Sequence, residues 1–200
     1  MKEKVVLKST HPEVYGDLEV ECRVVENTDI SSYLESLPSE NKFVAYKHAP
    51  ISARQGVLGE RVKTVLKTMV DGREYILHEE ENTVKDKDGL VDIVVTNINS
   101  TSNEQYVVKN AKFFETYVLP SEGTSENNYG TGWVPVYDPR EFTLVDENVI
   151  IVTSWGEKVV CLKGSYIVTY NAMENDYNAV ERDSFLLTYT LDSTLSRKRS

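Results

Sequence analysis

A chain of 200 residues with 40% hydrophobic and 27% charged residues is large enough to bury its own core, as one large domain or two small ones. Its net charge of −10 and pI near 4.9 argue against non-specific binding to nucleic acid or to an anionic membrane, both of which rest on clustered Lys and Arg. No apolar run approaches a bilayer's span, the N-terminus lacks a signal-peptide core, and the two cysteines, Cys22 and Cys161, do not make a disulfide framework, so the sequence reads as soluble and cytoplasmic.

Twelve Tyr against two Trp and five Phe favour half-buried strands. Residues 17–25 alternate Leu18, Val20, Cys22 and Val24 with charged positions, which predicts the first strand. Thr28 or Asp29 caps a short helix through Ile30, Tyr33, Leu34 and Leu37, stopped by Pro38. A strand over 42–46 follows, then a loop over 48–59 punctuated by Pro50, Gly56 and Gly59. Residues 62–70 and 73–78 flank Asp71-Gly72, the signature of a type I′ hairpin, because both turn positions need positive φ. The charged stretch 79–88 reads as a solvated turn or short edge segment, 91–97 and 106–108 as extended. Asn110 is expected to cap one helical turn ahead of a strand over 113–119. After a Ser, Glu, Gly and Asn-rich stretch, strands are expected over 133–137, 142–144, 149–153, 158–162 and 166–170. Asp183-Ser184 is expected to cap a turn before a strand over 185–191.

The chain repeats itself. Residues 108–119 and 180–191, seventy-two positions apart, both spell V, four residues, F, two residues, T-Y, one residue, L, and each copy follows a Gly-led apolar run ending in Thr. Pairing Gly59-Glu60-Arg61-Val62 with Gly156-Glu157-Lys158-Val159 makes the Asp71-Gly72 hairpin an insertion in the first copy; an ungapped offset of seventy-five is the weaker alternative. The expected fold is mainly β, with α+β as the alternative: two tandem copies of a compact strand-rich unit with few short helices. The segments are a strand-helix-strand extension over 1–50, repeat unit one over 51–119, a linker or long loop over 120–132, repeat unit two over 133–192 and a polar tail over 193–200. The shared F-x-x-T-Y positions read as packing, with Phe113 and Phe185 closing onto a core and Tyr117 and Tyr189 facing away from Thr116 and Thr188.

Chemistry is sparse. His11, His48 and His78 have no second ligand at a zinc spacing, and no nucleophile elbow, P-loop or dinucleotide fingerprint occurs, so no catalytic residue, metal or cofactor is assigned. Asp86, Asp88 and Asp92 only imitate a calcium loop. Residues 42–67 are locally basic, and within them Lys47, His48, Arg54, Arg61 and Lys63 are the candidate ligands for a phosphorylated small molecule or other anion. A basic stripe facing an acidic surface is the plainer account of them. Trp155, in a Trp-Gly-Glu turn, is the candidate interaction anchor or a cap on the repeat's core.

The run Trp155-Gly156-Glu157, Lys163-Gly164-Ser165-Tyr166-Ile167-Val168-Thr169, Asp176-Tyr177-Asn178-Ala179-Val180 and Phe185-Leu186-Leu187-Thr188-Tyr189 resembles a small β-rich module of uncharacterised phage and bacterial proteins, with Lys163-Gly164-Ser165 where that module has Pro-Gly-Asp. The resemblance implies a fold unit and a phage or mobile-element origin, and transfers no catalytic residue. The expectation is a non-enzymatic structural or interaction protein with a protein partner and a capacity to form homo-oligomers. A binder of phosphorylated ligands is the first alternative; an enzyme using Glu60 and His48 is the second.

Overall fold

The computed structural model describes residues 1–99, 104–119, 130–154 and 156–193. Among the described residues sixteen strands and three short α-helices follow one another in a mainly β chain: β1 (Lys2–Ser9), β2 (Leu18–Val25), α1 (Ile30–Ser36), β3 (Lys42–Lys47), β4 (Ile51–Gln55), β5 (Arg61–Val70), β6 (Arg73–Asn82), β7 (Ile93–Thr96), β8 (Gln105–Val108), α2 (Asn110–Thr116), β9 (Tyr117–Val118), β10 (Thr131–Pro135), β11 (Arg140–Leu144), β12 (Val149–Val152), β13 (Lys158–Cys161), β14 (Tyr166–Asn171), β15 (Asp176–Val180), α3 (Arg182–Thr188) and β16 (Tyr189–Leu191). No helix among the described residues is long and apolar enough to cross a membrane.

Two compact units form, and they cut across the consecutive segments expected from the sequence. The first comprises Met1–Tyr46, Thr68–Tyr75 and Pro139–Ser200; the second comprises Lys47–Lys67 and Ile76–Asp138. In the first unit β1 and β2 make an antiparallel hairpin, with Val5 opposite Val20, and β12 adds to β2 in parallel. The full order of that sheet is β13-β12-β2-β1-β6-β5, which β5 and β6 join through their hairpin end. The hairpin turn is as the sequence predicts, with φ of 50° at Asp71 and 74° at Gly72. Strand β1 escaped the sequence reading because it buries Leu7 alone. Lys2, Lys4 and Lys8 instead pair across it with Glu21, Glu19 and Asp17.

Each unit also holds a five-stranded sheet, and the two sheets share one strand order. That of the second unit runs β8-β7-β4-β10-β9 and that of the first β15-β14-β11-β3-β16. Chain order repeats as well: from β3 to β9 the run is strand, strand, hairpin, two strands, helix, strand, and β10 to β16 follows the same sequence. The hairpin expected as an insertion therefore has a counterpart in β12 and β13. Strand β3 lies beside β11, with Phe43 opposite Phe142, whereas β10 lies beside β4 and β9, with Trp133 opposite Ile51 and Val134 opposite Val118. Each sheet thus receives its fourth strand from the other half of the chain.

The sheets bury comparable cores. Phe113 meets Trp133 at 4.8 Å between ring centroids over Ile51, Ile93 and Val95 in the second unit. Phe185 meets Phe43 at 5.6 Å and Phe142 at 5.1 Å over Ala45 and Val168 in the first. A further core in the first unit packs Ile30, Tyr33, Leu34 and Leu37 of the α1 region on Val149, Ile151, Ile167 and Tyr177.

Two local expectations are corrected. Residues 48–59 are not all loop, since Ile51 and Ala53 alternate inward on β4; small Ser52 and Ala53 beside Pro50 gave too weak an apolar signal. Residues 113–116 and 185–188 are helical, and strands begin only at Tyr117 and Tyr189. The repeated Thr is the last residue of α2 and of α3 and turns its hydroxyl back to the carbonyl four residues earlier, Thr116 to Lys112 at 2.8 Å and Thr188 to Ser184 at 2.6 Å. Phe and Thr are then one turn apart, with Tyr as the first extended residue. Asn110 is the first helical residue and not the cap; its side chain donates to the Val91 carbonyl.

Candidate functional site

The structure distributes the basic residues among separate polar groups. Lys47, the last residue of β3, donates its ammonium protons to Asn97 Oδ1 at 3.0 Å and to the hydroxyls of Tyr106 at 2.7 Å and Tyr117 at 3.2 Å. Both rings also face the ammonium, at 5.0 and 5.6 Å to their centroids. With three donors on three oxygens, Lys47 has no proton left for an added ligand. The tyrosines come from β8 and β9, and the inward-facing Tyr117 is the Tyr of the repeated T-Y step.

Arg54 projects outward from β4 and forks onto Glu60, whose carboxylate also accepts the Val57 amide at 3.0 Å. The guanidinium and that amide hold the Glu60 carboxyl down to about 2. Arg61, exposed on β5, pairs with Glu80 on β6. Lys63 is exposed on the same strand, two residues on, and His48 is exposed between β3 and β4. An anion arriving here meets Arg54 and Arg61 already neutralised by carboxylates. It would have to displace both.

The acidic turn likewise divides its work. Asp86 Oδ1 accepts the amides of Asp88 and Leu90, while Asp92, fully buried, accepts the Val84 amide at 2.9 Å and lies 3.6 Å from Lys109. These carboxylates stabilise a turn and do not converge; among the described residues no group of three His, Cys, Asp or Glu is placed to hold a metal ion. Trp155 lies outside the described residues, as do 120–129 of the expected linker and 194–200 of the tail.

The feature that composition did not reveal is apolar. Directly after the core Phe of each short helix stands a large side chain facing outward: Phe114 is 51% exposed and Leu186, its equivalent, 61%. Each helix leads into the outermost strand of its sheet, β9 or β16. Val118 is exposed on β9, Val136 just after β10, and Leu191 on β16. The sequence signal was available in the second residue of F-F-E-T-Y and F-L-L-T-Y, but a strand reading of those segments assigns it to the wrong periodicity. No family model, curated protein or solved structure matched the chain.

Proposed function

We propose that this is a non-enzymatic interaction protein, built from a duplicated β-rich unit, that offers a protein partner two equivalent apolar surfaces. The observation carrying the reading is the repeated exposure of Phe114 and Leu186 at the same step of the same motif, each beside an outermost strand. Phe114 sets one edge against Phe113 and Trp133 but leaves half of its surface to solvent, Leu186 leaves more, and the recurrence of this exposure in both units is what a repeated contact surface requires. The resemblance of residues 155–189 to a phage module is consistent with a structural role.

Capture from the source cells followed by reconstitution with the purified partner tests the proposal. The Phe114→Asp, Leu186→Asp double variant, with unchanged circular dichroism, should weaken the complex by roughly tenfold or more. A complex insensitive to both substitutions, or turnover of a nucleotide or ester by the wild-type protein, overturns the reading.

A further inference from the structure

The exchange of β3 and β10 between the two halves of the chain has a local cause. Strands β3 and β4 are separated only by His48, Ala49 and Pro50, and β10 and β11 only by residues 136–139, which end in Asp138-Pro139. Consecutive strands this close usually fold back as a hairpin. Here neither pair does. In both links the proline immediately precedes the next strand, where its fixed φ and its steric demand on the residue before it favour an extended path over a reversal. The chain leaves the first unit after Tyr46, touches it again at the hairpin end Thr68–Tyr75, and makes its final return at Pro139, so its first exit and last entry fall at these same links.

The delivered strands carry equivalent anchors. Phe43 on β3 packs on Phe185, and Trp133 on β10 packs on Phe113, so each takes the Phe of the repeated motif as its partner. On β3 the register with β11 is continuous from Lys42 opposite Thr143 to Ala45 opposite Arg140, and on its other side the Val44 carbonyl accepts the Asp192 amide at 2.8 Å. The position beside β11 and β16 is therefore built to receive a strand that an extended link brings from a remote part of the sequence.

We propose that two copies of this chain form a reciprocally exchanged dimer, in which residues 139–193 of each copy close on β3 of the other. Every strand contact is the one made within a single chain, so the two forms differ in the link at 136–139 and in mass action. An intrachain partner acts at an effective concentration on the order of millimolar, so exchange is favoured when folding occurs near that concentration and suppressed when it is dilute. The proposal is independent of the apolar surfaces, since Phe114 and Leu186 take no part in it.

Refolding wild-type protein from urea over roughly 0.01 to 1 mM, with light scattering behind size exclusion, should give monomer at the dilute end and a rising dimer fraction at the other. The register pair Val44 and Glu141 identifies the interface. A Val44→Cys chain co-refolded with a Glu141→Cys chain should give an interchain disulfide, absent from wild-type controls that contain only the buried Cys22 and Cys161. Wild-type protein that stays monomeric at every concentration overturns the proposal without recourse to variants. So does a dimer in which the cysteine pair fails to link between chains while the double variant closes the same bond within one chain.

Discussion

Glu181 and Lys109 stand at the same point of the two helix entries, seventy-two residues apart, and act differently. Lys109 makes no capping bond and reaches back to the buried Asp92, whereas Glu181 accepts the amides of Asp183 at 2.6 Å and Ser184 at 3.1 Å as the cap of α3. Burial raises the Glu181 carboxyl from 4.5 to about 7, against the pull of those amides and with the Asp183 charge adding to the rise. The folded state then holds this proton more tightly than the unfolded chain, so its stabilising effect is complete below about 4.5 and is lost as pH rises through about 7. Urea midpoints measured from pH 4.5 to 8 should show this decline, and Glu181→Gln, which keeps an acceptor but cannot ionise, should flatten it. Glu60 has the opposite sign. Its stabilisation is present above 4.5 and fades as pH falls towards about 2, a small effect because the pair lies at the surface with Arg54 half-exposed and screened by solvent. Lys47 gives a sharper test of assignment. If its ammonium exists to tie Asn97, Tyr106 and Tyr117 together, Lys47→Met should cost ~1–3 kcal/mol of unfolding free energy by urea titration. A surface cation reserved for a ligand would leave stability within about 0.5 kcal/mol.

At the scale of elements, F-x-x-T-Y is a switch from helix to strand written in five residues. Phe113 and Phe185 fill their cores from a helical turn, and the Thr hydroxyl bonds back to the carbonyl of Lys112 or Ser184, four residues earlier. The following Tyr then takes extended φ values of −128° and −120°. Because the five-stranded sheets bury separate aromatic clusters, Phe113→Ala and Phe185→Ala should each cost ~3–5 kcal/mol. Hydrogen exchange should lose protection in β4, β7 and β8 for the first and in β11, β14 and β15 for the second; uniform loss for either would mean that the cores are not separate. The recurring Val, Phe, Thr, Tyr and Leu pattern was legible as packing, and Phe113 and Phe185 each stand in an aromatic core. Its conformation was not, since β-branched and aromatic residues suit a strand by propensity and only tertiary packing holds them in a helix seven residues long. Similarly β5 and β6 were marked by the conformational demand of Asp71-Gly72, while β4 was hidden by small residues. The paired state of Arg54 and Arg61 was beyond reach because Glu60 folds back on Arg54 through the turn between β4 and β5 and Glu80 meets Arg61 from β6, contacts that spacing does not encode.

For the molecule as a whole, the distinction that matters is between tandem domains and interleaved ones, and a cut in the chain separates them. Residues 120–129, Pro-Ser-Glu-Gly-Thr-Ser-Glu-Asn-Asn-Tyr, divide β1–β9 from β10–β16. Were the units consecutive, cleavage there would release two domains. In the arrangement found, the N-terminal fragment supplies β1, β2 and β3 to the first unit, where β12 pairs with β2 and β11 with β3. The C-terminal fragment returns β10 to the second unit, where it lies between β4 and β9 and carries Trp133 into the core. Separating the fragments would expose Phe43, Ala45 and Trp133 together with the apolar surfaces they cover, each large side chain costing roughly 1.5–3 kcal/mol in lost burial. A protease site introduced within 120–129 should therefore be cut without dissociation: the nicked protein should elute as one species, retain its near-ultraviolet circular dichroism, and come apart only in denaturant. Fragments that separate in dilute buffer would show that the strand exchange is not what holds the two sheets closed.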